Sequence, residues 1–130
     1  MSAAETLRVM LVEDHIAFRQ ALAFLLSHNP DLEVVAQAGS LAEARAALDE
    51  PTGAYLDVAV IDLGLPDGDG SELIGDLRQR NAGVSVVVLS EAINALRLEE
   101  VSKAGAGAVL DKAQSPPMIV QEVRREGRGG

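Results

Sequence analysis

The stretch VIDLGLPDGDG, residues 60–70, runs apolar and then halts on a carboxylate. Val60 and Ile61 have the character of buried strand residues, and Asp62 follows with no polar transition. Turn-forming Gly and Asp residues come directly after it. A carboxylate at the edge of an apolar environment is costly unless something compensates its charge. Asp62 is therefore either a capping or loop residue, the commoner role for such an aspartate, or a group with chemistry to do.

Working outward from this stretch, apolar runs of strand length recur at residues 9–12, 33–36, 58–61, 84–89 and 108–110. Helical patterns separate them. Phe18, Leu22, Leu25 and Leu26 share one face of a helix over about 15–27. Ser40 and Glu43 are spaced as a capping box opening a helix that contains Leu41, Ala44 and Leu48. Leu73, Ile74 and Leu77 mark a third helix, and Ile93, Leu96 and Val101 a fourth that ends near Gly105. Ser115 then Pro116 reads as N-cap and first turn of a fifth, with Ile119, Val120 and Val123 as its apolar face. Five β–α alternations predict an α/β fold, a parallel sheet with helices on both faces. Residues 124–130 turn charged and Gly-rich and read as a frayed end or the start of a linker.

The composition fits that architecture. The 130 residues suffice for one domain with a real core. Hydrophobic residues make up 48%, yet the only aromatics are Phe18, Phe24 and Tyr55, so the core must be aliphatic. The net charge of −9 argues against nucleic-acid binding by this segment and favours a cation or a basic partner. No cysteine is present, which excludes disulfide and thiol chemistry. The start, MSAAETLR, lacks the apolar core of a secretory signal, and no apolar run reaches membrane-spanning length. A cytoplasmic setting fits.

In an open parallel sheet, ligands bind beyond the carboxyl ends of the strands. The first strand ends in Glu13-Asp14, the third in Asp62, the fourth in Ser90 and the fifth in Asp111-Lys112. Glu13, Asp14 and Asp62, a hydroxyl and a lysine thus emerge on one edge, with Asp111 beside the lysine. Like charges at close range need relief, by a proton on one acid or by a hard cation. Mg²⁺, with its preference for carboxylate and carbonyl oxygens plus waters, suits the set. Lys112 and Ser90 add an ammonium and a hydroxyl for an anion. Such a place can receive a phosphoryl group on a carboxylate. Singly, each residue has a blander role: Asp14 as the N-cap of the first helix, Lys112 as a surface lysine, Ser90 as a turn residue. Their joint placement carries the argument.

The residues Leu11-Val12-Glu13-Asp14, the string from Val60 to Gly68, Val88-Leu89-Ser90, Ala104-Gly105-Ala106 and Leu110-Asp111-Lys112 together resemble the receiver domain of two-component response regulators. The resemblance spans residues 1–126, with 127–130 as a tail or linker start. It implies a flavodoxin-like (βα)5 fold, strand order 2-1-3-4-5, which the receiver family exemplifies. It also implies Asp62 as phosphoacceptor, and Mg²⁺ held by Glu13, Asp14, Asp62 and the Gly64 carbonyl. Ser90 and Lys112 would contact the phosphoryl group. A sensor histidine kinase is the implied donor, and a homodimer is compatible with the resemblance. The implied role is a signalling phosphoacceptor, not an enzyme in the ordinary sense. Asp14-His15 followed by Phe18-Arg19-Gln20-Ala21-Leu22 is similar to LuxR/NarL-type receivers, which usually continue into a helix-turn-helix output domain that controls transcription. His15 itself reads as a loop residue.

Several positions depart from the pattern. Val109 stands where many receivers carry an aromatic switch residue, Glu91 where a small residue usually comes after the hydroxyl, and Ala113 where proline often comes after the lysine. Residues 50–56 read as a short insertion before the third strand, with Tyr55 partly shielded. These departures keep a second reading open: a degenerate or stand-alone receiver that binds partners without phosphorylation. A haloacid-dehalogenase-type phosphatase would need a second aspartate where Gly64 stands. A nucleotide-binding module would need a Gly-rich loop where Glu13-Asp14-His15 stands, and a calcium loop fails at Glu72.

Overall fold

The strand β1 (Leu7–Val12) lies second in a five-stranded parallel sheet in the computed structural model, which describes residues 6–49 and 51–129. The start of the chain through Glu5, Glu50 of the expected insertion, and Gly130 of the expected tail lie outside the described residues. After β1 come α1 (Ile16–Ser27), β2 (Leu32–Ala38), α2 (Leu41–Leu48) and a 3-10 turn over Pro51–Tyr55. Next are β3 (Val58–Asp62) and a small antiparallel hairpin, β4 (Gly64–Leu65) with β5 (Gly68–Asp69). The chain ends with α3 (Glu72–Arg80), β6 (Ser85–Ser90), α4 (Ala95–Ala104), β7 (Ala108–Asp111) and α5 (Pro116–Gly127). The sheet order is β2-β1-β3-β6-β7, which is 2-1-3-4-5 when only its own strands are counted.

Strand side chains alternate between two faces, and here both are apolar. Val9 and Leu11, with Val58, Val60, Val87 and Leu89, meet Leu22 and Leu26 of α1 and Ile119 and Val123 of α5. Met10 and Val12, with Ala59, Ile61, Val86 and Val88, meet Leu41, Ala44 and Leu48 of α2 and Leu73, Ile74 and Leu77 of α3. The fully buried set is aliphatic, as the composition demanded; Phe24 and Tyr55 are exposed. Each buried Leu, Ile or Val contributes about 1.5–3 kcal/mol. This two-sided core is what tolerates a few buried carboxylates at its rim.

Three expectations change. Of the residues assigned to the fourth helix face, only Val101 is buried; Leu96 is 68% exposed and Ile93 precedes the helix. The reason is that α4 covers the edge strand β7, so a single row of its side chains reaches the core. Tyr55 is not shielded, at 63% exposed, although Leu56 beside it is buried. The stretch from Arg124 does not fray: α5 continues to Gly127. Gly127 rests on the strand starts, where an added Cβ would lie 2.7 Å from Leu7 and Val58 side-chain carbons. Arg124 Nε also donates to Asp31 Oδ2 at 2.7 Å, and this contact with Arg124, opposed in part by burial, holds Asp31 down at a pKa of about 2.

Candidate functional site

The ends of β1, β3, β6 and β7 bring the expected residues together because parallel registry aligns them. Val12 pairs with Ile61, Asp62 with Leu89, and Ser90 with Asp111. One step past those pairs stand Glu13, Ser90 and Lys112. Glu13, Asp14 and Asp62 each offer a carboxylate oxygen within 4.8 Å of the others. Glu13 and Asp62 are buried, and Asp14 faces solvent. A cavity of about 820 Å³ opens here, lined by Asp14, Asp62, Gly64, Ser90 and Lys112 among others.

Local folding fixes each group. Glu13 Oε2 accepts from His15 N at 2.9 Å, which turns the carboxylate inward over the loop. His15, not Asp14, caps α1: its Nδ1 accepts from Phe18 N at 3.2 Å. Asp14 is thus left without the capping duty that was its simplest reading. Asp62 Oδ1 accepts from Gly64 N at 3.1 Å. Ser90 Oγ accepts from Ala92 N at 3.3 Å, and Ser90 O accepts from Lys112 N at 3.0 Å, tying the two loops. Asp111, also at the cavity, accepts from Ala113 N at 2.8 Å. No peptide bond among the described residues is cis, the one to Ala113 included.

Lys112 reaches the acids directly. Its Nζ lies 2.9 Å from Glu13 Oε1 and 3.5 Å from Asp62 Oδ2. The ammonium also stands 5.1 Å from the centroid of the Phe18 ring, within cation–π range. Glu13 Oε1 is buried, with the Lys112 ammonium as its ionic partner. Lys112 is thus shared between Glu13 and Asp62, with Asp14 alongside, while Arg97 at the same cavity is engaged by Asp69 and Glu100. The electrostatics agree. Burial pushes Asp62 up to a pKa of about 6; the Gly64 N–H resists, Glu13's charge adds to the rise, and Lys112 offsets part of it. Burial pulls Lys112 down, but Glu13 and the charge of Asp62 more than reverse this and leave it raised.

Some neighbours had no signal in the motif. Asp67 accepts from Leu41 N at 2.7 Å and Ala42 N at 3.0 Å, capping α2 from another segment, and those two N–H groups hold its carboxyl below the usual range. Ser40 Oγ takes the next amide, Glu43 N, while Glu43 Oε1 accepts from Gly39 N, one residue off the expected box. Gly70 fits against the backbone of Asp62, since a Cβ there would lie 2.1 Å from Asp62 O. Arg97 of α4 lines the same cavity and grips Asp69. Only the spacing of charges across distant segments could have suggested these, and sequence order does not reveal it.

A parallel sheet in this order, with acids and a lysine converging beyond its strand ends, defines a flavodoxin-like domain with an acidic pocket at its carboxyl edge. The sequence profile described as the response regulator receiver domain matches residues 9–124, and the chain belongs to that family. Its relatives are of the LuxR/NarL kind. The chain is 36% identical over 122 residues to the DNA-binding transcriptional activator DevR/DosR of Mycobacterium tuberculosis, covering 94% of this chain and 55% of that protein. It is equally 36% identical to the transcriptional regulatory protein UhpA of Salmonella typhimurium, covering 94% and 59%. The chain thus spans a little over half the length of these relatives. Among solved structures, the NarL receiver domain of M. tuberculosis superposes with a TM-score of 0.84 at 25% identity, covering 97% of this chain and 99% of that one. A LuxR-family response regulator from Aurantimonas gives 0.84 at 29% identity, covering 96% and 87%. Residues 9–124 are thus a response-regulator receiver domain.

Proposed function

We propose that Asp62 accepts a phosphoryl group, with Glu13, Asp14, Asp62 and the Gly64 carbonyl holding Mg²⁺. The observation that carries the reading is the shortage of cations: three carboxylates within 4.8 Å of one another, two of them buried, have Lys112 as their one contacting lysine. When bound, Mg²⁺ supplies positive charge to the equatorial phosphoryl oxygens. A carboxylate oxygen of Asp62 attacks phosphorus in line, and an acyl phosphate forms as the bond to the leaving group breaks. With phosphohistidine of a sensor kinase, the breaking bond is P–N, and the imidazole leaves with the electron pair and takes up a proton. Lys112 pairs with the arriving charge, and Ser90 exchanges its contact with Ala92 N for a donated hydrogen bond to the phosphoryl group. The domain spans residues 1–126 and controls transcription in the cytoplasm through an output segment of the longer protein; the match to a DNA-binding activator supports this. The acidic surface supports leaving DNA contact to that segment.

Glu91 favours a second reading. It lines the cavity, exposed and negative, beside Ser90. It would repel a phosphodonor, as in a receiver that binds partners without phosphorylation. Incubation with Mg²⁺ and acetyl phosphate separates the two. A phosphate mass gain that Asp62→Asn abolishes supports phosphoacceptance. No gain in the parent chain, with either acetyl phosphate or a phosphorylated kinase, overturns it in favour of the binding module.

A further inference from the structure

Phe18 stands at the acidic cavity without a part in the phosphoryl reading. It lies in the first turn of α1, where His15 Nδ1 accepts from its N–H at 3.2 Å and fixes the turn. The side chain is only partly buried. It packs against the cluster that α1 and α5 cover, and it also lines the cavity. Of Phe18, Phe24 and Tyr55, Phe18 is the one that does so, and the Lys112 ammonium stands over its ring, 5.1 Å from the centroid. The backbone of Lys112 is fixed by its N–H to Ser90 O at 3.0 Å. The four-carbon stem beyond is flexible, so the resting place of the ammonium depends on what surrounds its tip. Glu13 Oε1 at 2.9 Å, Asp62 Oδ2 at 3.5 Å and the Phe18 ring surround it.

We propose that Phe18 is a positioning residue for Lys112: its ring is the third wall of a seat that holds the ammonium between Glu13 and Asp62, and so sets how fast a phosphoryl group is received. The rate effect rests on the phosphoacceptor reading; the seat does not. An ammonium has three N–H donors and no acceptor. The two acids take two directions, and the negative face of the ring attracts the cation from another. That attraction strengthens where water is excluded, and the Lys112 side chain is only 12% exposed. The acids are the variable walls. A cation drawn to Glu13 and Asp62, or a phosphoryl group on Asp62, changes the charge they present, whereas the quadrupole of the ring stays the same. Phe18 therefore keeps the ammonium at hand through those changes. An aliphatic side chain at the same place would fill the space beside Leu22 but offer the ammonium no negative face. A lysine gathered from solvent at each transfer would forfeit the benefit of a charge already in place.

The only other lysine is Lys103, exposed on α4, and it serves as an internal reference. In the parent chain labelled at lysine with carbon-13, the ring current should move the ε-methylene protons of Lys112 upfield of those of Lys103. Phe18→Leu should abolish that shift. It should also slow phosphate uptake from saturating acetyl phosphate with Mg²⁺, followed by intact mass, about fivefold. Phe18→Trp, with the stronger negative face, should keep the shift and most of the rate, whereas packing alone would tolerate Leu better than the larger Trp. Should Phe18→Leu fail to fold, trifluorophenylalanine at the same place, which keeps the shape of the ring and weakens its negative face, should give the same slowing. Lys112 signals that coincide with those of Lys103 in the parent chain overturn the seat. A shift that is lost while the rate is unchanged overturns the positioning role. A parent chain that gains no phosphate, from acetyl phosphate or a phosphorylated kinase, overturns the rate effect together with the phosphoacceptor reading, and the lysine spectra then decide the seat alone.

Discussion

Replacing Asp62 with asparagine is expected to stabilise the chain. Burial and the Glu13 charge hold the Asp62 pKa at about 6 against an ordinary 3.8. The folded state thus binds the Asp62 proton more tightly than the unfolded chain does. The associated stability is full below pH 3.8 and is lost as pH rises through about 6. At 1.36 kcal/mol per unit, keeping a charged Asp62 at pH 7.5 costs the fold about 3 kcal/mol. Asparagine removes that cost. It also removes the 3.5 Å contact to Lys112, but Lys112 keeps its nearer partner Glu13 at 2.9 Å. Weighing both, the net gain should be about 1–2 kcal/mol at pH 7.5. For a domain of this size that is about 4–8 °C in Tm. Since Asp62 is largely protonated in the fold at pH 4.5, the gain should shrink there to about a third. Urea unfolding of both chains at the two pH values, with EDTA present, measures this. An asparagine chain less stable at pH 7.5, or a gain of equal size at both pH values, would refute the electrostatic account of the site. Adding Mg²⁺ should narrow the gap, because a cation that binds the folded parent stabilises it.

Gly70→Ala should destabilise the fold by about 3 kcal/mol, because the new Cβ would press on the carbonyl of Asp62 itself; a denaturation midpoint matching the parent chain would count against that contact. Glu91→Ala should speed phosphorylation by acetyl phosphate a few-fold, since removing an exposed like charge relieves roughly 1 kcal/mol or less; unchanged rates would show that Glu91 does not repel the donor.

The sheet and its polar rim were legible in the sequence because strand residues declare themselves locally. Val9 to Val12 and Val58 to Ile61 read as buried runs on their own. Parallel registry then carries the residues just past each run to the rim of the cavity. Thus Asp62, Asp14, Glu13, Ser90 and Lys112 could be gathered before any coordinate was known. The α4 face was misread because amphipathic spacing does not say how much of a helix the sheet edge covers. The capping of α2 by Asp67, the seat of Phe18 beside Lys112 and the grip of Arg97 on Asp69 depend on how loops cross. Side chains so far apart in the chain leave no periodic trace. Likewise the capping of α1 by His15 instead of Asp14 turned on which carboxylate the loop needed, and Glu13 Oε2 met that need.

The seating of Gly127 against Leu7 and Val58 has a mechanical implication. The helix α5 starts four residues after Lys112, beside the acidic rim, and finishes over the opposite ends of the strands, where Ser85 Oγ donates to Glu126 O at 2.9 Å. Twelve helical residues at 1.5 Å each make a strut of about 18 Å. That strut ties the Lys112 loop to the other pole of the domain, where Arg124 and Arg128 brace it against Asp31.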